Sequence, residues 1–240
     1  MPAPKYSIEQ QEQLILAAAA NCIQASSLLD FKMSDIAKGA GLSMGSVYKH
    51  IQSKEDLLVA LAAQMSSQIH QVFKTILELP FSPGAKLVSL QMLNPSALYS
   101  HEFASQLFTL VANAPVLNRV SLRWRDELVQ ANERITGLFV RMLQEAIEQQ
   151  QLLSRADVME SLIEEIILGH WSMNVGFIQV AQQQHACEKA LNSCLPFPLG
   201  ISHPIVQSSL KLVNAYPWQQ PVREIELKHL SKQLDQLGYL

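Results

Sequence analysis

The stretch Met33-Ser-Asp-Ile-Ala-Lys-Gly-Ala-Gly-Leu-Ser-Met-Gly-Ser-Val-Tyr-Lys-His-Ile-Gln52 predicts two short helices joined by a tight turn. Gly41 lies where the first helix must end through a left-handed residue, a conformation that glycine adopts without a Cβ penalty. Ser43 is a good N-cap for the second helix. Val47 and Ile51 are four residues apart, so they share one buried face of that helix. This is the pattern of a helix-turn-helix, whose second helix enters the major groove of duplex DNA.

Four runs follow one another along this part of the chain: Asp35-Ile-Ala37, Gly41-Leu-Ser43, Gly45-Ser-Val-Tyr-Lys-His-Ile51 and Ser53-Lys-Glu-Asp-Leu-Leu58. Together they resemble the DNA-binding domain of the TetR family of bacterial regulators over roughly residues 8–65. The resemblance implies an all-α protein with an N-terminal three-helix DNA-binding domain, residues 1–65, whose helix-turn-helix spans about 33–52. It also implies a larger helical domain, residues 66–240, for effector binding and dimerisation.

The resemblance further implies a DNA-contacting surface around the second helix of the motif. The predicted contact residues are Lys32, Ser34, Ser43, Met44, Gly45, Ser46, Tyr48, Lys49, His50 and Lys54. Tyr48 and Lys54 are expected to anchor to phosphates. Ser46, Lys49 and His50 are expected to lie nearest the bases or the sugar-phosphate edge.

Two positions depart from the family pattern. The Ser or Thr that usually starts the first helix of the motif is replaced by Phe31 and Lys32, so Asp30 or Ser34 is expected to cap that helix instead. Met44 cannot read a base by hydrogen bonding, and it is expected to make only apolar contact, for example with a thymine methyl group.

The composition indicates a folded protein that binds DNA specifically rather than coating it. Apolar residues make up 48% of the 240 residues and charged residues only 16%, with a net charge of −3. Residues 1–60 hold five lysines against six acidic residues. Because phosphate contacts by cations drive affinity, so few lysines per subunit favour a homodimer on a pseudo-palindromic site over a general DNA-binding protein.

Three further features bear on where the protein works. The longest purely apolar run, 14–20, is far shorter than the roughly 20 residues that span a bilayer, and the N-terminus shows no secretion signal. The three cysteines, Cys22, Cys187 and Cys194, lack metal-ligand spacing and are expected to be reduced. The sequence therefore predicts a cytoplasmic protein without membrane contact, and a redox pair of Cys187 and Cys194 remains an alternative.

The rest of the chain reads as helices separated by proline and glycine. Helices are predicted over the ranges 7–28, 53–79, 85–93, 96–113, 121–151, 154–184, 203–216 and 222–237, with the second domain starting at Pro80–Gly84. The helix over 154–184 has apolar residues on more than one face, so it must bury two sides. One side is expected to face a second copy of the chain. The segment after Pro217 has no assigned role.

A small-molecule effector is the expected partner of the second domain. The candidate ligand-binding residues are His101, Trp124, His170, Trp171, Asn174 and Phe177. Their apolar surroundings favour a hydrophobic or weakly polar effector, although for each residue taken singly a place in the packed core is the favoured reading. His170 and Asn174, one helical turn apart, are expected either to hold a polar head group or to bond across a dimer interface.

These expectations combine into a regulator that is released from DNA by its effector, with repression as the family's usual mode. The alternative is a ligand-independent architectural DNA-binding protein of the same fold. An enzyme is not expected, because no Gly-rich phosphate loop or nucleophile-elbow sequence is present. No cofactor and no metal site are expected either.

Overall fold

The chain is helical throughout the part that the computed structural model describes, residues 6–186 and 197–240, which contains no β-strand. The described helices are α1 (Ile8–Ala25), α2 (Met33–Gly39), α3 (Met44–His50), α4 (Lys54–Leu77), α5 (Pro83–Ser89), α6 (Pro95–Leu98), α7 (Ala104–Val111), α8 (Ala114–Leu117), α9 (Leu122–Glu148), α10 (Met159–Ala186), α11 (Pro204–Ala215) and α12 (Glu224–Gln236). None of them is long and apolar enough to cross a membrane. The prediction of an all-α fold is confirmed.

Two compact units make up the chain: unit 1 comprises Met1–Ile69 and Tyr99–Glu133, and unit 2 comprises His70–Leu98 and Arg134–Leu240. Unit 1 begins with α1, whose start is fixed by a capping box. The Ser7 hydroxyl accepts the backbone N–H of Gln10, and the Gln10 side chain accepts the backbone N–H of Ser7. This reciprocal pair satisfies two N–H groups that a helix start leaves without partners.

Unit 1 extends beyond the predicted boundary at residue 65, because the segment 99–133 shares its core. Leu107, Val111 and Trp124 are buried in the same hydrophobic cluster as Ile15 and Leu57. The division by packing therefore differs from the predicted ranges 1–65 and 66–240. The difference arises because an apolar stripe identifies a buried helix face but not the core that the face joins.

The helix predicted over 96–113 is divided into α6 and α7. Leu98 packs against the core of unit 2, whereas Tyr99 and Phe103 pack against the core of unit 1. The chain passes from one unit to the other at this point. The five residues between the helices, 99–103, begin the second segment of unit 1.

Unit 2 is built around α5, every residue of which is buried. Gly84 permits the closest packing there, because a Cβ at this position would lie 2.6 Å from Val222 Cγ2 and 2.9 Å from Val213 Cγ1. The segment after Pro217, unassigned from the sequence, supplies part of this core through Leu227, Leu230 and Leu234 on α12.

The loop between α9 and α10 is longer than predicted, since α10 begins at Met159 rather than at residue 154. The backbone N–H of Leu153 donates to the Pro217 carbonyl oxygen at 2.9 Å, and that of Gln219 donates to the Gln151 carbonyl oxygen at 2.8 Å. These bonds hold 151–153 in an extended conformation that a helix could not adopt. Cys187 and Cys194, the pair of the redox alternative, lie outside the described residues, and Cys22 is a half-buried free thiol.

Candidate nucleic-acid interface

The turn between α2 and α3 has the geometry that the sequence predicts. Gly41 has φ +65°, in the left-handed region. The backbone N–H of Leu42 donates to the Ala37 carbonyl oxygen at 3.0 Å, and that of Gly41 donates to the Lys38 carbonyl oxygen at 3.1 Å. These two bonds form a Schellman motif, which satisfies the last carbonyl groups of α2.

The start of α2 differs from the prediction, because neither Asp30 nor Ser34 caps it. Lys32 occupies the N-cap position without any side-chain hydrogen bond to the helix. Asp30 instead accepts the hydroxyl of Ser27 at 3.2 Å, and Ser34 already lies within the first turn. The chain before α2 is held from outside, by Lys54 Nζ donating to the Phe31 carbonyl oxygen at 2.6 Å.

Helix α3 has two turns and exposes most of its side chains. Ser43 caps it as predicted, with its hydroxyl 3.1 Å from the backbone nitrogen of Ser46. Val47 is the single buried residue of the helix. Tyr48 is 47% exposed and Met44 lies at its exposed N-terminal end. This arrangement presents one face of α3 to solvent along its whole length.

The ten predicted DNA-contacting residues are not equally placed to reach a duplex. Eight are exposed: Lys32, Ser34, Ser43, Met44, Gly45, Tyr48, Lys49 and Lys54. Ser46 is half-buried, and its hydroxyl lies 3.0 Å from that of Ser43. Two of the ten make structural contacts: the His50 side chain is only 8% exposed and lies against Glu12, and the ammonium group of Lys54 donates to the Phe31 carbonyl oxygen.

Asp56 is a buried carboxylate of this region that sequence analysis did not identify. Its Oδ2 atom accepts the backbone N–H of Gln52 at 3.1 Å, and its Oδ1 atom accepts that of Ser121 at 2.7 Å. Its own backbone N–H donates to the Ser53 hydroxyl at 2.9 Å. The Ser-x-x-Asp spacing at the start of α4 is a capping signal that could have indicated part of this role.

Glu12 on α1 is a second carboxylate that sequence analysis missed. Its Oε1 atom lies 3.1 Å from His50 Nδ1 and 2.7 Å from Arg123 Nη1. Burial raises the pKa of Glu12, but the hydrogen bonds and charges of Arg123 and His50 outweigh burial and leave that pKa below its ordinary value. No sequence pattern connects these residues, because Glu12 and Arg123 are 111 positions apart.

The six predicted ligand-binding residues are divided between the two units. His101 and Trp124 belong to unit 1, and His170, Trp171, Asn174 and Phe177 belong to unit 2. His101 stacks on Phe103 with ring centroids 5.2 Å apart. Trp124 is buried in the core of unit 1, and its indole N–H is already bonded to the His50 carbonyl oxygen. The Trp124 ring is therefore packed in this core with its N–H group satisfied there.

His170 is the most unusual of the four candidates in unit 2. It is 2% exposed, and neither ring nitrogen has a hydrogen-bond partner. Burial lowers the pKa of His170 to about 4, so the ring is neutral at pH 7. Its ring centroid lies 6.5 Å from that of Tyr216. The Asn174 side chain donates to the His170 carbonyl oxygen at 3.0 Å and does not contact the ring nitrogens.

The two remaining ligand candidates have different surroundings. Trp171 is 49% exposed on the outer face of α10. Phe177 meets His203 edge to face, with centroids 5.9 Å apart. Unit 2 also has an open cavity of about 490 Å³, lined by groups that include Lys74, Lys86 and Arg141, and none of the predicted ligand residues lines it. Among the described residues, no group of three or more His, Cys, Asp or Glu side chains is placed to hold a metal ion.

The sequence around this interface matches a known family. Residues 15–61 match the model of "Bacterial regulatory proteins, tetR family". The N-terminal domain belongs to the TetR family. The chain is also 35% identical over 72 residues to the HTH-type transcriptional regulator EthR of Mycobacterium tuberculosis. That match covers 30% of this chain and 33% of EthR, so the chain spans about a third of the length of the curated relatives it matches.

Solved structures of other proteins share the fold over most of the chain. Salmonella enterica GusR covers 89% of this chain and 98% of its own length, at 14% identity and a TM-score of 0.53. Mycobacterium smegmatis AmtR covers 100% of this chain and 98% of its own length, at 15% identity and a TM-score of 0.52. The fatty acid degradation regulator FadR of Bacillus halodurans covers 82% of this chain and 96% of its own length, at 16% identity and a TM-score of 0.52. At these identities the likeness concerns the fold alone.

Proposed function

We propose that this protein is a sequence-specific DNA-binding transcriptional regulator of the cytoplasm. One observation carries the proposal: α3 is capped by Ser43 and anchored by Val47, while Met44, Tyr48 and Lys49 remain exposed along its outer face. A helix held in this way by a helix-turn-helix is the element that reads base edges in the major groove. The family match over 15–61 supports the same reading.

The proposal includes a homodimer formed through α10. This helix buries one side, through Ile163 and Ile166, and exposes Leu168, Trp171 and Val175 on another. The three exposed residues follow one another at spacings of three and four, so they form one apolar stripe. An exposed stripe of this kind indicates an interface, and a second copy of α10 would cover it.

In such a dimer, the two α3 helices would enter successive major grooves about 34 Å apart on a pseudo-palindromic site. Binding beside a promoter would obstruct RNA polymerase, which makes the protein a repressor. An effector would release it by binding more tightly to the arrangement of helices that no longer matches the operator.

The proposed effector is a small, mostly hydrophobic molecule with one polar group, bound within unit 2 near His170. A neutral imidazole offers one donor and one acceptor, and both ring nitrogens of this residue are buried without partners. An unsatisfied buried polar atom is costly. A ligand that supplies a hydroxyl or carboxyl group would satisfy the ring while its apolar part joins the surrounding core.

The decisive experiment measures binding of the full-length protein to the DNA upstream of its own gene and to an unrelated duplex, at two salt concentrations. Tight, selective binding by a dimer is expected. Equal and strongly salt-dependent binding to both duplexes would instead support an architectural protein of the same fold. If that upstream DNA is not bound, selection from a random duplex library follows. Failure to select any sequence would overturn the proposal.

The dimer is tested with Trp171→Glu, which places a charge in the proposed interface. Sedimentation velocity should show a monomer for this variant and a dimer for the wild type. Ile225→Glu is the matched control, because Ile225 is 57% exposed on α12, away from the stripe. A dimer that survives Trp171→Glu, or a monomer produced equally by Ile225→Glu, would contradict an interface on α10.

A further inference from the structure

A short segment of unit 1, residues 119–124, is bonded to three elements of the DNA-reading region. We call it the clamp segment; it joins α8 to the first turn of α9. Three of its residues contact carboxylates: Arg119 Nη1 lies 3.3 Å from Glu55, the Ser121 backbone N–H 2.7 Å from Asp56, and Arg123 Nη1 2.7 Å from Glu12. The fourth, Trp124, contacts the recognition helix itself.

The Trp124 indole satisfies the end of α3. Its Nε1–H donates to the carbonyl oxygen of His50 at 3.0 Å. His50 is the last residue of α3, and the last four carbonyl groups of a helix have no partner within it. The ring that makes this bond is buried in the core of unit 1, so packing as well as the hydrogen bond sets its position.

The side chain of His50 is fixed by the same group of residues. Its Nδ1 atom lies 3.1 Å from Glu12 Oε1, and its Nε2 atom lies 3.2 Å from Gln11 Oε1. Glu12 is in turn bonded to Arg123, whose guanidinium carbon lies 4.4 Å from the centroid of the Trp124 ring. The contacts form a closed circuit of Trp124, His50, Glu12 and Arg123, which holds both the backbone and the side chain of the last residue of α3.

The recognition helix needs such support because little else holds it. It has seven residues and a single buried side chain, Val47. A helix of two turns is not stable by itself in water. Its first turn is fixed by the Ser43 cap, whereas its last turn is fixed from outside by the circuit.

We infer that Trp124 and Arg123 are positioning residues for DNA recognition, which act through His50 and touch no DNA themselves. They fix the C-terminal end of α3 and thereby the direction in which Met44, Tyr48 and Lys49 point. The inference rests on the proposed function, since positioning matters only if α3 reads DNA. It also makes residues 119–124 part of the DNA-binding machinery, although they lie outside the helix-turn-helix.

A purely structural role for Trp124 is the competing explanation, because a buried ring stabilises any core. Trp124→Phe separates the two, since it keeps an aromatic ring and removes the indole donor. Trp218→Phe is the matched control: Trp218 Nε1 donates to the Val213 carbonyl oxygen at 2.8 Å in unit 2. The control removes the same kind of bond without affecting α3.

The first readout needs no DNA. Amide hydrogen exchange of the full-length protein reports the opening of α3, through the N–H of Ile51, which donates to Val47 within that helix. Trp124→Phe should speed exchange of this amide about fivefold, the effect of losing one net hydrogen bond, and Trp218→Phe should leave it unchanged. Equal effects of the two variants, or no effect of Trp124→Phe, would overturn the inference.

The second readout is the ratio of affinities for the selected operator and for an unrelated duplex. Trp124→Phe should lower the operator affinity about fivefold and leave the salt dependence unchanged, because no phosphate contact is lost. Glu12→Gln breaks the other half of the circuit and should act in the same direction, so it replaces Trp124→Phe if that variant does not fold. An unchanged ratio in a folded variant overturns the inference. If the wild-type protein selects no operator, the proposed function fails, while the exchange experiment still decides whether the circuit holds α3.

Discussion

The carboxylate of Asp56 accepts the backbone N–H of Ser121 at 2.7 Å, across 65 positions of sequence. Its second oxygen accepts the backbone N–H of Gln52, so one buried side chain joins the turn after α3, the start of α4 and the start of α9. An acceptor that serves two buried donors is costly to remove, because the donors lose their partners together.

Asp56→Asn should therefore destabilise the protein by about 1–3 kcal/mol, since the amide keeps the shape but places an N–H group against a backbone N–H. The neighbouring Glu55→Gln should cost less than about 1 kcal/mol, because its partner Arg119 is largely exposed and surface ion pairs contribute little. Urea unfolding at fixed protein concentration measures both. Equal destabilisation by the two changes would contradict a special role for Asp56.

Replacing either of two glycines of the helix-turn-helix by alanine should change the stability of the protein, in opposite directions for the two positions. Gly41 has φ +65° with open space around it, so Gly41→Ala should cost about 1–2 kcal/mol through backbone strain alone. Gly45 lies within α3, and the nearest atom to an added Cβ is Ser43 Oγ at 3.9 Å. Gly45→Ala should therefore stabilise the protein by roughly 0.5 kcal/mol and weaken DNA binding if this residue faces the duplex. Thermal unfolding measures the stability of both variants, and operator titration measures their DNA affinity. A stability change in the same direction in both variants would contradict the prediction.

His170 should make the protein less stable in mild acid. Its folded pKa of about 4 lies below the ordinary value of 6.5, so the unfolded chain takes up a proton first as the pH falls. The free energy of unfolding therefore has its full value above pH 6.5, and it falls by about 3 kcal/mol as the pH is lowered from 6.5 to 4. His170→Phe should remove this part of the pH dependence and, because two unsatisfied nitrogens disappear, raise stability at pH 7. The difference between wild type and variant in urea unfolding at pH 5 and pH 7.5 measures the effect, and parallel curves would refute it.

Alanine substitutions of two interface lysines should distinguish an effect on phosphate binding alone from an effect on both phosphate binding and folding. Lys49 is exposed on α3, so Lys49→Ala should reduce the slope of log affinity against log salt by about 0.9 per contact without changing stability. Lys54 holds the Phe31 carbonyl oxygen and still has two N–H donors, so Lys54→Ala should reduce both the slope and the melting temperature. Lys228→Ala, an exposed change on α12, is the control that should alter neither. If the slope of log affinity against log salt is the same in both variants as in the wild type, these lysines do not contact the DNA.

The parts of the interface that could be predicted are those made by neighbours in sequence. The Ser43 cap and the left-handed Gly41 depend on hydrogen bonds that span three to five residues, and a local pattern contains all of their partners. The same holds for the capping box of Ser7 and Gln10. The prediction that Asp30 or Ser34 caps α2 was wrong. The side chain that holds the chain before this helix is that of Lys54, which lies 23 positions from its partner Phe31 and so outside any local pattern.

The contacts of the clamp segment could not be predicted, because they join residues 64 to 111 positions apart. Trp124 illustrates the difficulty: an aromatic residue in an apolar stripe fits a cavity wall and a packed core equally well. Only the position of the indole N–H against the His50 carbonyl oxygen distinguishes them. The outward stripe of α10 was visible in the sequence for the opposite reason, since an excess of apolar residues around a helix needs no knowledge of the partner.

The burial of α5 beneath the last part of the chain has a consequence for synthesis on the ribosome. The backbone N–H of Ser82 donates to the Glu226 side chain, 144 residues later, and Gly84 lies against Val222. While translation proceeds from one contact to the other, α5 remains without its cover and its apolar face is open to other chains. The last residue of unit 1 is Glu133. The nascent protein therefore acquires its DNA-reading region well before its second core can close, and aggregation during expression should depend on residues 222–234 more than on the recognition helix.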